Sequence, residues 1–285
     1  MVRACIAFCL FFSFSFAMNS GLYAQESSSN DPVIQKIKSF LDEKTFNKNK
    51  DFINIIFEPK SAYYKNDRVN ALSVVKTLKE NGLLKLFFAS PREFQLNFKT
   101  SGSPLFFVKI MSDTLRNIGY YRYVTSASHL DESEFNWSIN LSSEYATDPL
   151  VLQKELQKSG CNIIDIERNS AQEWTYSIDM SRAYLNIPSL RNAKEVQLKR
   201  SLYEHWLDVS HIEELTIKSS SQNQWYPYIA YYDSSLHLLK IIKENEISKG
   251  ILLEIPKNAK YIKISDLYTL KNVRDELELF PSGSR

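Results

Sequence analysis

Glycine is scarce in this chain, with only seven residues in 285. Phosphate-binding loops depend on clustered glycines, because these let backbone N–H groups approach the phosphate closely. The sequence contains neither a P-loop nor the glycine pattern of a dinucleotide-binding turn, and it lacks the G-x-S-x-G turn that carries the nucleophile of α/β-hydrolases. We therefore expect no nucleotide site and no hydrolase of that class.

Cysteine and histidine are also few, at three and four residues. Cys5 and Cys9 lie in an apolar N-terminal segment, so Cys161 is the one thiol left for the body of the chain, and it has no internal disulfide partner. No two histidines have the i, i+3 or i+4 spacing of metal ligands on a helix. Carboxylate pairs of the glycosidase type can come from distant strands, but nothing selects such a pair. We predict no metal, no cofactor and no enzymatic activity.

The charge is nearly balanced, at a formal net +2. Nucleic-acid binding requires a concentrated basic face, so we expect no nucleic-acid partner. The chain opens MVRACIAFCLFFSFSFAMNSGLYAQ, in which Arg3 precedes an apolar run and Ala24 offers a cleavage site before Gln25. This pattern is typical of a secretory signal peptide, and the run is short for the alternative, an uncleaved membrane anchor. We predict export to the periplasm, with no membrane span in the mature chain.

Three segments begin with a capping residue followed by proline. A cap oxygen accepts an otherwise unpaired N–H group, and proline at the first helical position loses no hydrogen bond. A fourth helix is predicted after Asn66. Glycine then ends three of the apolar helical stripes, as expected of a residue that adopts the left-handed conformation. The capped starts are Asp31-Pro32, Ser103-Pro104 and Asp148-Pro149, and the closing glycines are Gly82, Gly119 and Gly160.

Each of these glycines is followed by two strand-like runs with a turn between them. The repeated unit is thus helix, glycine, strand, turn and strand, which predicts an α+β layer with helices on one sheet face. With a further strand at Phe52–Phe57, the order from Ile53 to Ser128 is that of a ferredoxin-like βαββαβ domain. A second, partial unit runs from Phe135 to Asp179. This element order resembles the SPOR domains of bacterial envelope proteins, a likeness that implies peptidoglycan binding but carries no site residues.

Short strands with turn signals between them dominate the last third of the chain. Six or seven strands at this spacing predict a β-sandwich or jelly roll. The stretches WYPYIAYYD and IPKNAKYIKISD resemble the core strands of jelly-roll accessory modules in secreted and cell-surface proteins. That resemblance implies a carbohydrate-binding or adhesive module. The predicted strands are His205–Val209, Ile212–Lys218, Tyr226–Tyr232, Leu236–Ile242, Ile251–Ile255, Tyr261–Ile264 and Arg274–Phe280.

The aromatic run around Trp225, Tyr226 and Tyr228 is the candidate contact site. Alternate residues of a strand face opposite sides, so one face of this run belongs to the core and accounts for most of the tyrosines. Trp225 precedes the strand and follows a polar run, so we expect it on an exposed loop, where it could stack on a sugar or anchor a protein partner. Separately, Glu134-Phe-Asn136-Trp-Ser138 matches an extended bacterial N-glycosylation signal and makes Asn136 a candidate modification site.

The whole chain resembles periplasmic proteins common in bacteria, a likeness that implies a compartment and no activity. We predict an exported binding or scaffolding protein of the cell envelope that acts as a protein–protein adaptor. The alternative is a module that binds peptidoglycan or a surface polysaccharide, and the oligomeric state stays open. The predicted divisions are a signal peptide at 1–24, a helix at 25–47, a ferredoxin-like domain at 48–130, a partial α+β unit at 131–182, a linker at 183–202 and a β-sandwich at 203–281.

Overall fold

The structure is a computed structural model that describes residues 31–285. The predicted signal peptide lies outside the described residues. The chain divides into two compact units, the first ending at Leu83 and the second running from Leu84 to Arg285. No helix among residues 31–285 is long and apolar enough to cross a membrane.

The described part of the first unit is mainly helical, with one short two-stranded hairpin. Asp31 caps its first helix as predicted, because its carboxylate accepts the N–H group of Val33 at 2.8 Å. The strand expected at Phe52–Phe57 is wrong: these residues form a helix and the turn after it, with Ile53 and Phe57 buried four residues apart. A short apolar run is compatible with both the alternation of a strand and the periodicity of a helix. Here the residues adopt the helical spacing. The elements are α1 (Pro32–Phe40), α2 (Glu43–Lys48), α3 (Lys50–Ile56), a 3₁₀ turn (Lys60–Tyr63), β1 (Tyr64–Lys65), β2 (Arg68–Val69) and α4 (Ala71–Glu80).

The second unit begins with a five-stranded sheet in the order β4-β5-β3-β7-β6, accompanied by two helices. Strand β3 is central, antiparallel to β5 and parallel to β7. The predicted helix–glycine–hairpin unit occurs twice, and Gly119 and Gly160 have the expected positive φ values of 103° and 72°. The elements are β3 (Phe87–Thr100), α5 (Pro104–Asn117), β4 (Val124–Leu130), β5 (Phe135–Tyr145), α6 (Pro149–Gln157), β6 (Asn162–Arg168) and β7 (Glu173–Asp179).

The first of the three predicted hairpins is not formed. Gly82 closes α4 as expected, with φ of 71°, but Leu83–Leu86 is not strand, and Phe87–Phe88 continues into the second predicted run as one 14-residue strand, β3. Its second half alternates buried and half-buried residues, whereas Ala89–Glu93 is exposed and includes a break in pairing between Phe87 and Arg92. The turn signal at Pro91 therefore marks this irregularity within a strand instead of a chain reversal.

The last part of the second unit contains two four-stranded antiparallel sheets, which we call the C-terminal sheet pair. Their strand orders are β13-β10-β15-β8 and β12-β11-β14-β9. The two sheets share one hydrophobic core, with Leu215 and Leu279 from one sheet and Ile229 and Ile264 from the other. The elements are β8 (Val196–Leu198), β9 (His205–Asp208), β10 (Glu214–Ser219), β11 (Pro227–Tyr232), β12 (Leu238–Lys243), β13 (Gly250–Glu254), β14 (Tyr261–Asp266), a 3₁₀ turn (Leu270–Asn272) and β15 (Leu277–Ser282).

The segment expected to link the sandwich to the preceding layer is part of the sheet pair. Within it, Val196–Leu198 is strand β8 and pairs with Leu277–Leu279 of β15. The buried Leu198 contributes to the shared core. The sheet pair thus starts N-terminal to residue 203, where the sequence placed the boundary.

Candidate functional site

Trp225 does not lie on an exposed loop. It is fully buried (0% exposed) in the core of the C-terminal sheet pair, and its indole N–H donates to the carbonyl oxygen of Ser265 at 2.9 Å. Its ring is therefore inaccessible to a sugar or a partner protein. The expectation that Trp225 lies on an exposed loop is wrong.

Tyr226 and Tyr228 are both half-buried, and each ring has one close side-chain neighbour. Tyr226 packs edge-on against Tyr268 at a centroid distance of 4.9 Å, and its N–H group donates to Asp266. Tyr228 lies on the outer face of β11, with the Lys263 ammonium 5.6 Å from its ring centroid. The alternation predicted for this strand is present, since Ile229 and Tyr231 point into the core.

A second tryptophan, Trp206, lies on this outer face and was missed by the sequence analysis. It is half-buried on β9, and its ring centroid lies 4.9 Å from that of Tyr232 on β11. The cross-strand register opposes Trp206 to Lys263 on β14, whose ammonium lies 5.9 Å from the Trp206 ring. The signal in the sequence was its alternation with the buried Leu207, which places Trp206 on the outside of the sheet.

Helix α5 supplies a second cation to Trp206. The Lys109 ammonium lies 4.9 Å from the ring centroid and forms an ion pair with Asp113, one helical turn further on. Burial lowers the pKa of Lys109, against the opposing effect of the Asp113 carboxylate. Asp113 also pairs with Arg116 at 2.6 Å, and the Arg116 guanidinium lies over Tyr203 at 4.4 Å. The charges of Lys109 and Arg116 are therefore both paired with Asp113.

A cleft of about 320 Å³ opens beside Trp206, between the helices of the five-stranded sheet and the C-terminal sheet pair. Helix α5 contributes Lys109 and Asp113, helix α6 contributes Glu155, and β9 contributes His205 and Trp206. Burial lowers the pKa of His205, so its imidazole is neutral near pH 7. A neutral imidazole can donate or accept a hydrogen bond, and apolar residues such as Ile110 and Leu207 complete the wall.

The charged groups of this cleft pair with one another. Glu155 accepts from the Asn117 amide at 2.9 Å and pairs with Lys158 at 2.6 Å. Burial opposes ionisation of Glu155, but these two hydrogen bonds lower its pKa overall. Such pairing is typical of a structural ion-pair network.

Four exposed apolar residues lie on the edge strands β12 and β13 or in the connection between them, and we call these four the apolar side patch. Leu238 and Ile241 on β12 are 52% and 41% exposed, Ile247 in the following connection is 45% exposed, and Leu252 on β13 is 63% exposed. Strands β12 and β13 are edge strands of their two sheets among the described residues. The sheet pair thus has apolar side chains next to unpaired strand edges.

The opposite side of the sheet pair is covered. The backbone of Asp208, at the end of edge strand β9, bridges to Ser189 and exchanges hydrogen bonds with Pro188 and Leu190 at 2.9 and 2.8 Å. The other edge there, β8, has only three residues. Short or covered edges resist pairing with another chain, so β12 and β13 are the edges at which pairing is open.

Asn136 lies in β5, an inner strand of the five-stranded sheet. It is half-buried, and its register partners are Lys99 on one side and His129 on the other. Glycosylation at Asn136 stays a prediction, and a glycan added there must project from the middle of a sheet face.

Comparison with known proteins finds no matching family model, no matching curated protein and no matching solved structure. Between residues 31 and 285, no group of three or more His, Cys, Asp or Glu side chains is arranged to hold a metal ion.

Proposed function

We propose that this protein is an exported, non-enzymatic adaptor of the bacterial cell envelope, located in the periplasm, that binds another protein through its C-terminal sheet pair. The observation that carries the proposal is the apolar side patch on the open side of that pair. Exposed apolar side chains that share a surface are typical of protein-binding sites, and Leu238 and Ile241 lie opposite Tyr232 and Ala230 on one face of the β11–β12 pair. Leu238 and Ile241 supply such side chains beside an edge strand.

Two features of the fold also support a binding role. Eight strands in two four-stranded antiparallel sheets around one core favour a jelly-roll module for the C-terminal part. In the five-stranded sheet, β5 lies between β3 and β4, and helix α5 connects β3 to β4. This split βαβ arrangement favours a ferredoxin-like fold for this part. Both architectures are scaffolds on which edges and loops carry the binding function.

Glycan binding is the second candidate, and the half-buried Trp206 favours it. Its ring lies beside Tyr232 on an outer sheet face, as in a surface that stacks sugars. Two observations weigh against it. The ammonium groups of Lys109 and Lys263 already lie near the ring, at 4.9 and 5.9 Å, and the tryptophan first expected to stack is buried. We therefore rank the adaptor first.

Cross-linking in intact cells, followed by separation of the sacculus from soluble and membrane proteins, tests the proposal. We expect adducts with one defined protein, and no protein left on the sacculus after bound proteins are stripped. The variant Ile241→Ser should reduce the adduct at least about tenfold, the scale of a residue at the centre of an interface. Retention on the stripped sacculus would instead support the glycan alternative.

The matched control is Ile164→Ser. Ile164 is also an exposed isoleucine on an edge strand, β6, but it lies in the five-stranded sheet, away from the C-terminal sheet pair. An equal loss of adduct in both variants would argue against the apolar side patch as the binding surface.

A further inference from the structure

The free edge of β12 has a defined set of backbone groups. Glu244 donates its N–H group to the carbonyl oxygen of Pro227 on β11 at 3.0 Å. Hydrogen-bonded pairs alternate along an antiparallel ladder, so Ile242 and Lys240 also direct their backbone groups toward β11. The N–H and C=O groups of Ile241 and Lys243 therefore point away from β11, to the side where the described residues place no strand.

The side chains of the same two residues face the outer surface of the sheet. Ile241 lies opposite Ala230 and Lys243 lies opposite Tyr228, a residue of that outer face. Both side chains are exposed. Residues directly opposite each other on neighbouring strands share a face, so a strand added at this edge would place its own side chains next to Ile241 and Lys243.

The charge on β12 argues against a second copy of this chain as the added strand. The strand sequence LLKIIK contains two lysines and no acidic residue, and both lysines are exposed. Two copies pairing edge to edge would bring four ammonium groups into one short ribbon, and edge lysines are a usual means of preventing such self-pairing. The same charge favours a partner strand that contains acidic residues.

We propose that the β12 edge accepts an extended segment of the partner protein as an additional antiparallel strand. The segment has Asp or Glu opposite Lys243 and an apolar residue two positions later, opposite Ile241. Each non-proline residue has one backbone donor and one acceptor, so Ile241 and Lys243 together offer roughly four groups to the added strand. The inference rests on the proposed adaptor function and names its binding edge and the chemistry of its partner.

The experiment places a photoreactive phenylalanine analogue at Lys240 in the full chain, expressed in its native cells. We expect an adduct with a different protein, and mass spectrometry should locate the cross-link in a segment with an acidic residue two positions before an apolar one. Ile241→Pro removes the outward N–H group without removing a bond to β11, so it should reduce the adduct at least about tenfold. Ile241→Val keeps that N–H group and should leave the adduct unchanged.

Charge reversal provides a test that does not depend on proline. Lys243→Glu should reduce the adduct at least about fivefold, because it places like charges opposite each other. Lys257→Glu is the matched control: Lys257 is an exposed lysine in the connection between β13 and β14 and should have no effect. Circular dichroism and thermal unfolding of each variant show that the fold is kept.

Three outcomes would overturn the inference. An adduct that persists in both Ile241→Pro and Lys243→Glu would mean that the edge is not used. An adduct with twice the mass of this chain would identify self-pairing. An absence of cross-links at Lys240, while the adducts expected from the adaptor function persist elsewhere, would reject this edge and leave the adaptor role in place. If no adduct with another protein forms at any position, the adaptor function itself fails.

Discussion

Asn223 explains why a tryptophan with a polar flank lies in the core. Its side-chain oxygen accepts the N–H groups of Arg274 and Asp275, both at 2.8 Å, and its amide donates to the Glu276 carbonyl at 2.9 Å. Asn223 is itself buried. These bonds tie the polar run to the segment before β15, and Trp225 two residues later enters the shared core. The buried Asn223 amide thus has its hydrogen bonds satisfied, as is usual for buried polar groups.

Trp225→Phe should therefore reduce stability without affecting any binding. The substitution removes buried volume and leaves the Ser265 carbonyl without its indole donor, for a loss of about 2–3 kcal/mol in the free energy of unfolding. The check is urea unfolding, with a lower midpoint and an unchanged slope. Trp206→Phe is the control and should lose less, because Trp206 is half-buried on an outer face. Equal losses would contradict the difference in burial.

At the scale of elements, helix α1 depends on one residue at its start. The Asp31 carboxylate accepts from the N–H groups of Val33 and Ile34 and pairs with Lys60 at 2.9 Å. Burial opposes ionisation of Asp31, but the Lys60 hydrogen bond and the two backbone bonds lower its pKa overall. The contribution of the charged cap is thus present at neutral pH and is lost as the pH falls below the unfolded value of about 3.8.

Asp31→Ala should destabilise α1 by about 1 kcal/mol, the usual cost of removing a helix cap. Hydrogen exchange of the α1 amides measures this directly and should become faster. Asp31→Asn keeps a capping oxygen and loses the charge, so its loss should be smaller at pH 7. If Asn and Ala variants exchange equally fast, the ion pair with Lys60 contributes the stability and the cap does not.

At the scale of the whole molecule, buried weak acids are distributed across the second unit. Burial raises the pKa of the Cys161 thiol to about 11, with a smaller contribution from Asp179. It also raises the pKa of Tyr231 and Tyr261 to about 12, and Asp208 adds to the effect on Tyr261. Cys161 belongs to the α+β layer, and the two tyrosines belong to the sheet pair. Alkaline pH should therefore lower the stability of both parts of the second unit.

The free energy of unfolding should fall as the pH rises from about 9 to 12. In this range the unfolded chain loses protons near its ordinary pKa values of 9.0 and 10.0, whereas the folded chain retains them. Below pH 9.0 these groups are mostly protonated in both the folded and the unfolded chain, so their contribution to stability is fully present. Urea unfolding at about pH 8, 9.5 and 10.5 measures this decline in the free energy of unfolding, because these values span the ordinary pKa values of thiol and phenol groups. A stability that stays constant through this range would contradict the burial of these groups.

Tyr231→Phe isolates one of these groups. Its hydroxyl is buried and has no hydrogen-bond partner among the described residues. Replacing it should leave stability at pH 8 unchanged or slightly higher, because no bond is lost and no polar atom stays buried. The decline at high pH should be smaller than in the original protein. A large loss at pH 8 would indicate that the hydroxyl has a partner after all.

Local signals in the sequence determined the start and end of most elements. The caps at Asp31 and Asp148 and the left-handed glycines at 119 and 160 act within a few residues of themselves, so their effect can be predicted without knowing the fold. The α+β class and the alternation of β11 follow from periodicity for the same reason. Which face of β11 is inward did not follow, since Tyr231 is in the core and Tyr228 and Tyr232 lie on the outer face. The apolar run Phe52–Phe57 is compatible with both a strand and a helix, so the sequence alone did not decide between these two structures.

Contacts between distant segments decided the rest. Trp225 is buried because Ser265, forty residues later, accepts its N–H group, and Trp206 is surrounded by lysines from α5 and β14. The β12 edge is open because β12 pairs with β11 alone among the described residues, whereas β9, at the other end of the same sheet, bridges to Ser189. Burial and edge position depend on the order in which strands pair, and that order depends on the packing of the whole core. Sequence determined the elements and tertiary structure determined which of their residues are available to a partner, because exposure is a property of the assembled sheets.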